Sequence, residues 1–270
     1  MTGAAVNANS VLVSGNFDGP TNTGVTVNGV IAHALGKQFF ATVPLVSGEN
    51  KLEARATSPD GTNATDSVNV TNALPAGAAP DPIQVIASPQ SGIAPLTVKF
   101  TVSNTSSDPI QKIEIDVDGN GSTDITTTKA DAPIEHVYAT PGVFQANGVV
   151  TDAQNVKHQQ TLLIAVLDGA QMDQFFTALW GGMNAALING DLNGAVAFLN
   201  QSAQRKYRPV FEALLPHMPA IIGSYSPLQQ VSVSTEVVEY AVNRTINGRV
   251  KIFLIYFLKD ENGVWRLDAM

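Results

Sequence analysis

Short stretches of alternating apolar and polar residues, separated by turn residues, run through the first 167 residues of the chain. This period of two places every second side chain on one face of a strand, so such a stretch must bury that face against another layer. Alternation predicts five strands in the first segment, one of them over 24–30, and the regular spacing of strands and turns predicts small antiparallel sandwiches. From residue 168 the pattern changes to a helical period followed by further strands. The predicted fold class is therefore multidomain, with two all-β sandwiches followed by an α+β domain of helices packed on a curved antiparallel sheet.

The length of 270 residues exceeds one ordinary domain of roughly 100–200 residues. We predict a first β-sandwich over 1–74, a linker over 75–82, a second sandwich over 83–167 and the α+β domain over 168–270. The linker contains three prolines and has no periodicity, which is typical of an extended, semi-rigid spacer.

Composition excludes several classes of function. The net charge of -8 argues against nucleic acid, because phosphate binding requires clustered Lys and Arg. The absence of cysteine excludes disulfide scaffolds, thiol catalysis and Cys-ligated zinc. No apolar stretch reaches the roughly 18 residues needed to span a bilayer, and Met1–Ala5 lacks the charged and apolar regions of a signal peptide. We expect an extracellular, cell-surface or periplasmic protein.

Each predicted sandwich resembles a known family. The runs "VTVNGV", "FFATVPLVSGENKLEARATSPDG" and "VNV" resemble bacterial immunoglobulin-like modules, which the resemblance implies to be spacers or docking domains. The runs "ASPQSGIAPLTVKFTV", "IEIDVDGNGSTD", "HVYATPGVFQANGVVTDAQN" and "TLLIAV" resemble the polycystic kidney disease (PKD) family, which implies an extracellular spacer or adhesive unit. The aromatic core motif of that family, Trp-Asp-Phe-Gly-Asp-Gly, is replaced here by the run from Ile115 to Gly121.

The last hundred residues begin with a helix between Asp168 and Asn189, marked by apolar residues at i, i+3, i+4 and i+7. Asp191 caps a short second helix, a third helix precedes Pro216, and strands follow at 229–240, 241–258 and 263–268, with hairpin turns at Asn247–Gly248 and Asn262–Gly263. This order, with "YRPVFEALLPHMPAII" and "YFLKDENGVWRLDAM", is similar to the cystatin-like cone of the nuclear transport factor 2-like superfamily.

A run of oxygen-bearing side chains in the second sandwich has the spacing of a calcium loop. Ca²⁺ takes six to eight oxygen ligands at roughly 2.3–2.6 Å. The candidate ligands are Asp116, Asp118, Asn120, the carbonyl of Ser122, and Asp124. A calcium ion here would be structural and would clamp the loop.

The twelfth position of that loop is Thr127 instead of the bidentate glutamate of helix-loop-helix sites, so a further ligand would have to come from Asp131 or water. The alternative is a tight hairpin in which Asp, Asn and Gly only satisfy turn geometry.

No catalytic residue and no other cofactor is predicted. The resemblance to the cone implies that a small-molecule binder or hydrolase would use an acid–base pair in its pocket, with candidates Tyr207, Glu212, His217, Glu236 and Glu239. No spacing links any two of these. His33, His136 and His158 show no metal-ligand spacing either.

The run from Val250 to Leu258 is apolar on both faces of a strand, so one face covers a helix and the other needs a second domain, a symmetry mate or long neighbouring side chains. We therefore predict a non-enzymatic, modular extracellular scaffold, adhesion or interaction protein of bacterial origin. Its partner would be a protein or surface bound through the C-terminal domain, with homo-oligomers and carbohydrate as further options. The alternatives are an accessory region of a larger secreted enzyme or repeat-rich surface protein, or the small-molecule cone.

Overall fold

A computed structural model describes residues 4–270, so the expectation on Met1–Ala5 falls mostly outside the described residues. The described chain is mainly β, with a group of helices between residues 169 and 222. Within residues 4–270, none of the helices combines the length and apolar content that crossing a bilayer requires.

The first segment contains more strands than the five that alternation predicts. The strand predicted over 24–30 is two strands, because Asn28 and Gly29 both take positive φ and form a turn. The strands β1 to β8 are Ala4–Val6, Ser10–Asn16, Gly24–Val27, Val30–Ile31, His33–Leu35, Gln38–Pro44, Gly48–Thr57 and Asn63–Asn72. Strands β2, β6 and β5 form one antiparallel sheet, while β1 pairs in parallel with β8, which lies beside β7.

The second segment consists of two sheets that bury a common core. Strands β9 to β16 are Ile83–Ser88, Ser91–Ile93, Leu96–Asn104, Ile110–Asp116, Ile125–Thr127, Ile134–Tyr138, Gly142–Asp152 and Lys157–Leu167. One sheet has the order β10-β16-β15-β12-β13 and the other β14-β11-β9. The core between the sheets contains Val98, Phe100, Ile113 and Ile164, which are at most 1% exposed. Residues 75–82, which precede β9, contain no strand or helix.

The third segment begins with helices. The side chain of Asp191 accepts a hydrogen bond from the N–H of Gly194 and caps the second helix, as predicted. The third helix ends at Leu214, and Leu215–His217 forms a 3-10 turn that contains Pro216. The helices α1 to α4 are Gly169–Ile188, Leu192–Val196, Gln201–Leu214 and Met218–Ile222.

A four-stranded antiparallel sheet, in sequential order, follows the helices. Its strands β17 to β20 are Gln229–Val233, Val237–Ile246, Arg249–Lys259 and Trp265–Ala269. The single strand predicted over 229–240 is wrong, because the hydroxyl of Ser234 accepts the N–H groups of Glu236 and Val237 and turns the chain. The predicted turn at Asn247 and Gly248 is confirmed, since both take positive φ.

Helices and sheet enclose an aromatic core. The ring of Phe176 on α1 lies 4.8 Å from the ring of Phe257, 6.0 Å from that of Tyr240 and 5.0 Å from that of Trp265. Phe176, Tyr240 and Phe257 are completely buried. Around Phe176, the face of the sheet that covers the helices is therefore filled by aromatic side chains.

The chain divides into two compact units whose limits differ from the predicted domain limits. The first unit comprises residues up to Asp18, 32–55 and 65–168, and the second comprises 19–31, 56–64 and 169–270. Within the second unit, the Asn22 side chain accepts a hydrogen bond from the N–H of Trp265 and donates one to its carbonyl, at 2.9 and 3.0 Å. Two pieces of the predicted first sandwich thus group with the C-terminal helices and sheet, and the division into three domains stays a prediction.

Candidate functional site

The candidate calcium ligands lie on the loop between β12 and β13, which we call the acidic loop, Asp116–Asp124. Strand β12 delivers Asp116 at its last position, where the side chain is only 7% exposed. Gly119 takes a φ of 76°, and a Cβ there would lie 2.5 Å from the carbonyl oxygen of Gln145. The turn therefore requires glycine at this position.

Backbone N–H groups surround the carboxylate of Asp116. Its Oδ1 accepts hydrogen bonds from Gly119 at 2.8 Å and Asn120 at 3.2 Å, and its Oδ2 accepts one from Gly121 at 2.8 Å. The carboxylate of Asp124 accepts the N–H of Val117 at 2.8 Å. The loop is thus held closed by its own acidic side chains.

Two of the polar residues between these carboxylates, Asp118 and Asn120, bond to their neighbours. Asp118 accepts hydrogen bonds from the backbone and side-chain nitrogens of Asn120, both at 3.1 Å. The side-chain oxygen of Asn120 accepts the N–H of Ser122 at 2.8 Å. These bonds are the turn geometry that the alternative interpretation predicts, and they leave the calcium prediction untested.

Three of the five candidate ligands converge. Each of Asp116, Asp118 and Asp124 offers a carboxylate oxygen that lies within 4.8 Å of the other two. Oxygens bound to one Ca²⁺ at roughly 2.3–2.6 Å can be separated by up to about 5 Å, so this spacing fits the ion. Asp131 is not part of this group within the described chain, so the expected additional ligand would have to be water or a backbone oxygen.

The electrostatics of the loop favour a cation. Burial acts to raise the pKa of Asp116, but the hydrogen bonds from Gly121, Gly119 and Asn120 outweigh it and the pKa is lowered, so this carboxylate stays charged. The hydroxyl of Tyr138 donates to the carbonyl of Val117 at 2.8 Å. Burial, followed by the charges of the three aspartates, raises the pKa of Tyr138.

The residues considered for a hydrolytic cone do not assemble into one site. The hydroxyl of Tyr207 donates to the carbonyl of Met270 at 2.7 Å, which makes it a clamp on the chain end. Glu212, His217 and Glu236 are exposed on separate elements. Glu239 accepts a hydrogen bond from the hydroxyl of Tyr256 at 2.9 Å. The structure gives each of these groups a surface position or a structural partner.

One cluster of titratable groups has no signal in the sequence. Nδ1 of His158 lies 2.6 Å from a carboxylate oxygen of Asp81, and its Nε2 lies 3.4 Å from one of Asp152. The three residues come from the end of the linker and from β15 and β16, so no local spacing links them. Burial acts to lower the pKa of His158, but its bonds to Asp81 and Asp152 outweigh burial and raise it.

Comparisons with known proteins give only distant likenesses. No protein-family model matches the chain, and no curated protein sequence does either. Fibronectin(III)-like modules of Clostridium thermocellum CbhA match at 16% identity and a TM-score of 0.27, over 63% of this chain and 92% of theirs.

Two further solved structures are similarly remote. Bacteroides ovatus SGBP-B, from a mixed-linkage glucan utilization locus and solved with a mixed-linkage heptasaccharide, matches at 14% identity and a TM-score of 0.22, over 61% of this chain and 42% of its own. The amphioxus IgVJ-C2 molecule matches at 12% identity and a TM-score of 0.25, over 60% and 99%. At these TM-scores the likenesses carry no argument, and function has to be argued from the chain itself.

Proposed function

We propose that this protein is a non-enzymatic, modular extracellular interaction protein of bacterial type. Its β-sandwich segments act as spacers, and the C-terminal sheet carries the contact with a partner. One observation carries the proposal, namely an apolar strip on the outer face of the C-terminal sheet. The dispersal of Tyr207, Glu212, His217, Glu236 and Glu239 supports the absence of catalysis.

The strip consists of Val250, Ile252 and Leu254, which alternate along β19 and are 67%, 68% and 43% exposed. The odd-numbered residues of β19 lie on the other face, where Ile255 and Phe257 are buried against the helices. Because side chains alternate across a strand, the strip lies on the face opposite the helices. Contiguous apolar residues of this kind mark interaction surfaces.

A second copy of this chain is the occupant that we propose. The cross-strand neighbours of the strip on β18 are Thr245, Asn243 and Ala241, so this part of the face carries no charge. An uncharged apolar strip can pack against its own copy in a two-fold contact without like-charge repulsion. That matters because the net charge of -8 makes two copies of the chain repel each other overall.

The test replaces Ile252 by lysine and measures the molar mass in solution by light scattering after size exclusion. We expect the wild-type protein to have twice the 28.4 kDa chain mass, and Ile252→Lys to be a monomer. Ile86→Lys is the matched control, because Ile86 is a 45%-exposed isoleucine on the edge strand β9. A wild-type protein that stays monomeric at concentrations on the order of 100 μM overturns the proposal.

Calcium in the acidic loop is the second component of the proposed function. The convergence of three carboxylates supports it. When bound, the ion would neutralise the charges that the turn brings together. Asp116, Asp118 and Asp124 would hold it, and its role would be to fix the loop at the edge of the sandwich.

Carbohydrate binding and the role of an accessory region in a larger enzyme stay predictions. Trp180 on α1 is buried in the core of the third segment, and Trp265 packs against Phe176, so both tryptophans serve the core. An aromatic platform for a sugar would therefore have to come from tyrosine or phenylalanine.

A further inference from the structure

The other face of the same hairpin brings three cations together. Arg244 on β18 is the direct cross-strand neighbour of Lys251 on β19, and Arg249 lies two residues from Lys251 on the same face. Val242 lies two residues from Arg244, and Ile255 lies four residues from Lys251, so both share the face of these cations. Both belong to the core beneath the helices, so this is the inner face of the sheet. We call Arg244, Arg249 and Lys251 the cationic row.

The row extends to an aromatic side chain. Tyr225 is the bridge partner of Arg244 on its other side, and its ring lies 6.0 Å from that of Trp180. Arg244 is half-buried beside this wall, whereas Arg249 and Lys251 are exposed at the end of the hairpin. The cationic row therefore has aromatic side chains at its Arg244 end and is exposed to solvent at its Arg249 and Lys251 end.

Nothing in the described chain neutralises the row. No ion pair joins any of its members to a carboxylate among residues 4–270. Nε of Arg244 is buried and has no hydrogen-bond partner. Like charges directly opposite each other on a sheet are destabilising, and a buried donor without a partner costs a further amount. An anion bound at the row removes the repulsion among these cations.

We propose that the cationic row binds a tetrahedral oxyanion, a phosphate or sulfate group, with Arg244 as its anchor. The planar guanidinium of arginine presents its donors in a fork that matches two oxygens of such a group. Lys251 and Arg249 add mobile charge on the solvent side. Three cations are too few for an extended polyanion such as nucleic acid, so the ligand is a single group, free or carried as an ester on a polymer.

The proposal is independent of the dimer strip, because the two sets of side chains leave opposite faces of β19. Failure of one therefore leaves the other standing. Ile252→Lys tests the outer face, and the variants below test the inner face alone.

Inorganic phosphate is the first probe, titrated into calcium-free protein at constant ionic strength and followed by amide chemical shifts. We expect saturable shifts centred on Arg244 and Lys251. In Lys251→Gln the dissociation constant should rise by about tenfold, since one charge-assisted bond is lost. Arg244→Lys keeps the charge but removes the fork, so it should weaken binding while preserving the fold.

Lys129→Gln is the matched control, because Lys129 is an exposed lysine of the second segment, more than 100 residues along the chain from the row. It should bind phosphate as tightly as the wild-type protein. Phosphate also stabilises proteins without binding, by exclusion from their surface. Equal responses in the wild-type protein, Lys251→Gln and Lys129→Gln would therefore overturn the site.

A sulfated oligosaccharide distinguishes the two sources of the anion. Tighter binding than inorganic phosphate, lost in Lys251→Gln, indicates an ester on a polymer. Equal or weaker binding with the same dependence on Lys251 indicates a free anion. Shifts that avoid Arg244 and Lys251 with both probes contradict the proposal.

Discussion

The acidic loop and the cationic row both concentrate charge at the end of a strand pair, but they treat that charge in opposite ways. In the loop, Asp116 accepts three backbone N–H groups and Asp124 accepts a fourth. In the row, Nε of Arg244 is buried without a partner and Lys251 lies directly across from it. The charges of the acidic loop have hydrogen-bond partners within the fold, whereas those of the cationic row have no counter-charge among the described residues.

This difference separates structural charge from binding charge. A carboxylate that accepts backbone donors stabilises its turn even when no ion is present. A cation beside another cation stabilises nothing until an anion arrives. Removing charge should therefore destabilise the acidic loop and leave the free cationic row as stable or slightly more stable.

The largest effect is expected at Asp116. Asp116→Ala leaves three backbone donors without an acceptor and should lower the free energy of unfolding by about 3 kcal/mol, measured by urea denaturation without calcium. Asp118→Ala is the control, because Asp118 is exposed and should cost less than about 1 kcal/mol. Equal losses in the two variants would remove the distinction between the loop and the row.

Calcium should give the next largest effect. At a free concentration one hundred times its dissociation constant, the ion should add about 2.7 kcal/mol to the free energy of unfolding. Asp118→Asn removes one of the three converging charges and should abolish most of this gain while leaving the calcium-free stability nearly unchanged.

Magnesium is the matched ion for the same experiment, since it requires closer, octahedral oxygens than the loop is expected to offer. A response of equal size to magnesium, or an undiminished calcium response in Asp118→Asn, would reduce the acidic loop to a plain turn.

Sequence patterns predicted the helices and some of the turns because these elements are locally encoded. The helical period between Met172 and Leu187 predicted α1, and Asp191 predicted the start of α2. Turns with Asn–Gly were predicted at Asn247 because that dipeptide adopts positive φ at little cost. The break at Ser234 was missed because a serine hydroxyl capturing two N–H groups has no periodic signal.

Sites are less predictable, because the structure assembles them from distant residues. The acidic loop could be predicted since its carboxylates lie within nine residues of one another. The cationic row depends on the register that places Arg244 opposite Lys251, and the first unit's His158 meets Asp81 across a separation of 77 residues. Spacing along the chain contains neither relation.

The smallest effect extends the comparison to His158, where opposite charges meet. Its pKa is raised by Asp81 and Asp152 against the opposing effect of burial. The pKa of His158 is higher in the folded state than the value of about 6.5 expected in the unfolded state, so the charged imidazole stabilises the folded state fully below that value. This stabilisation is lost as the pH rises through the pKa of the folded state. The loss should be less than about 1 kcal/mol, because Asp81 is partly exposed and solvent screens the pair.

Urea denaturation at pH 6 and pH 8 measures this loss, and His158→Gln should flatten the difference between the two. His217→Gln, at an exposed position in the second unit, should retain it. If His158→Gln keeps the full pH dependence, the pair contributes nothing, and satisfied charge in this protein would be confined to carboxylates that accept backbone donors, as in the acidic loop.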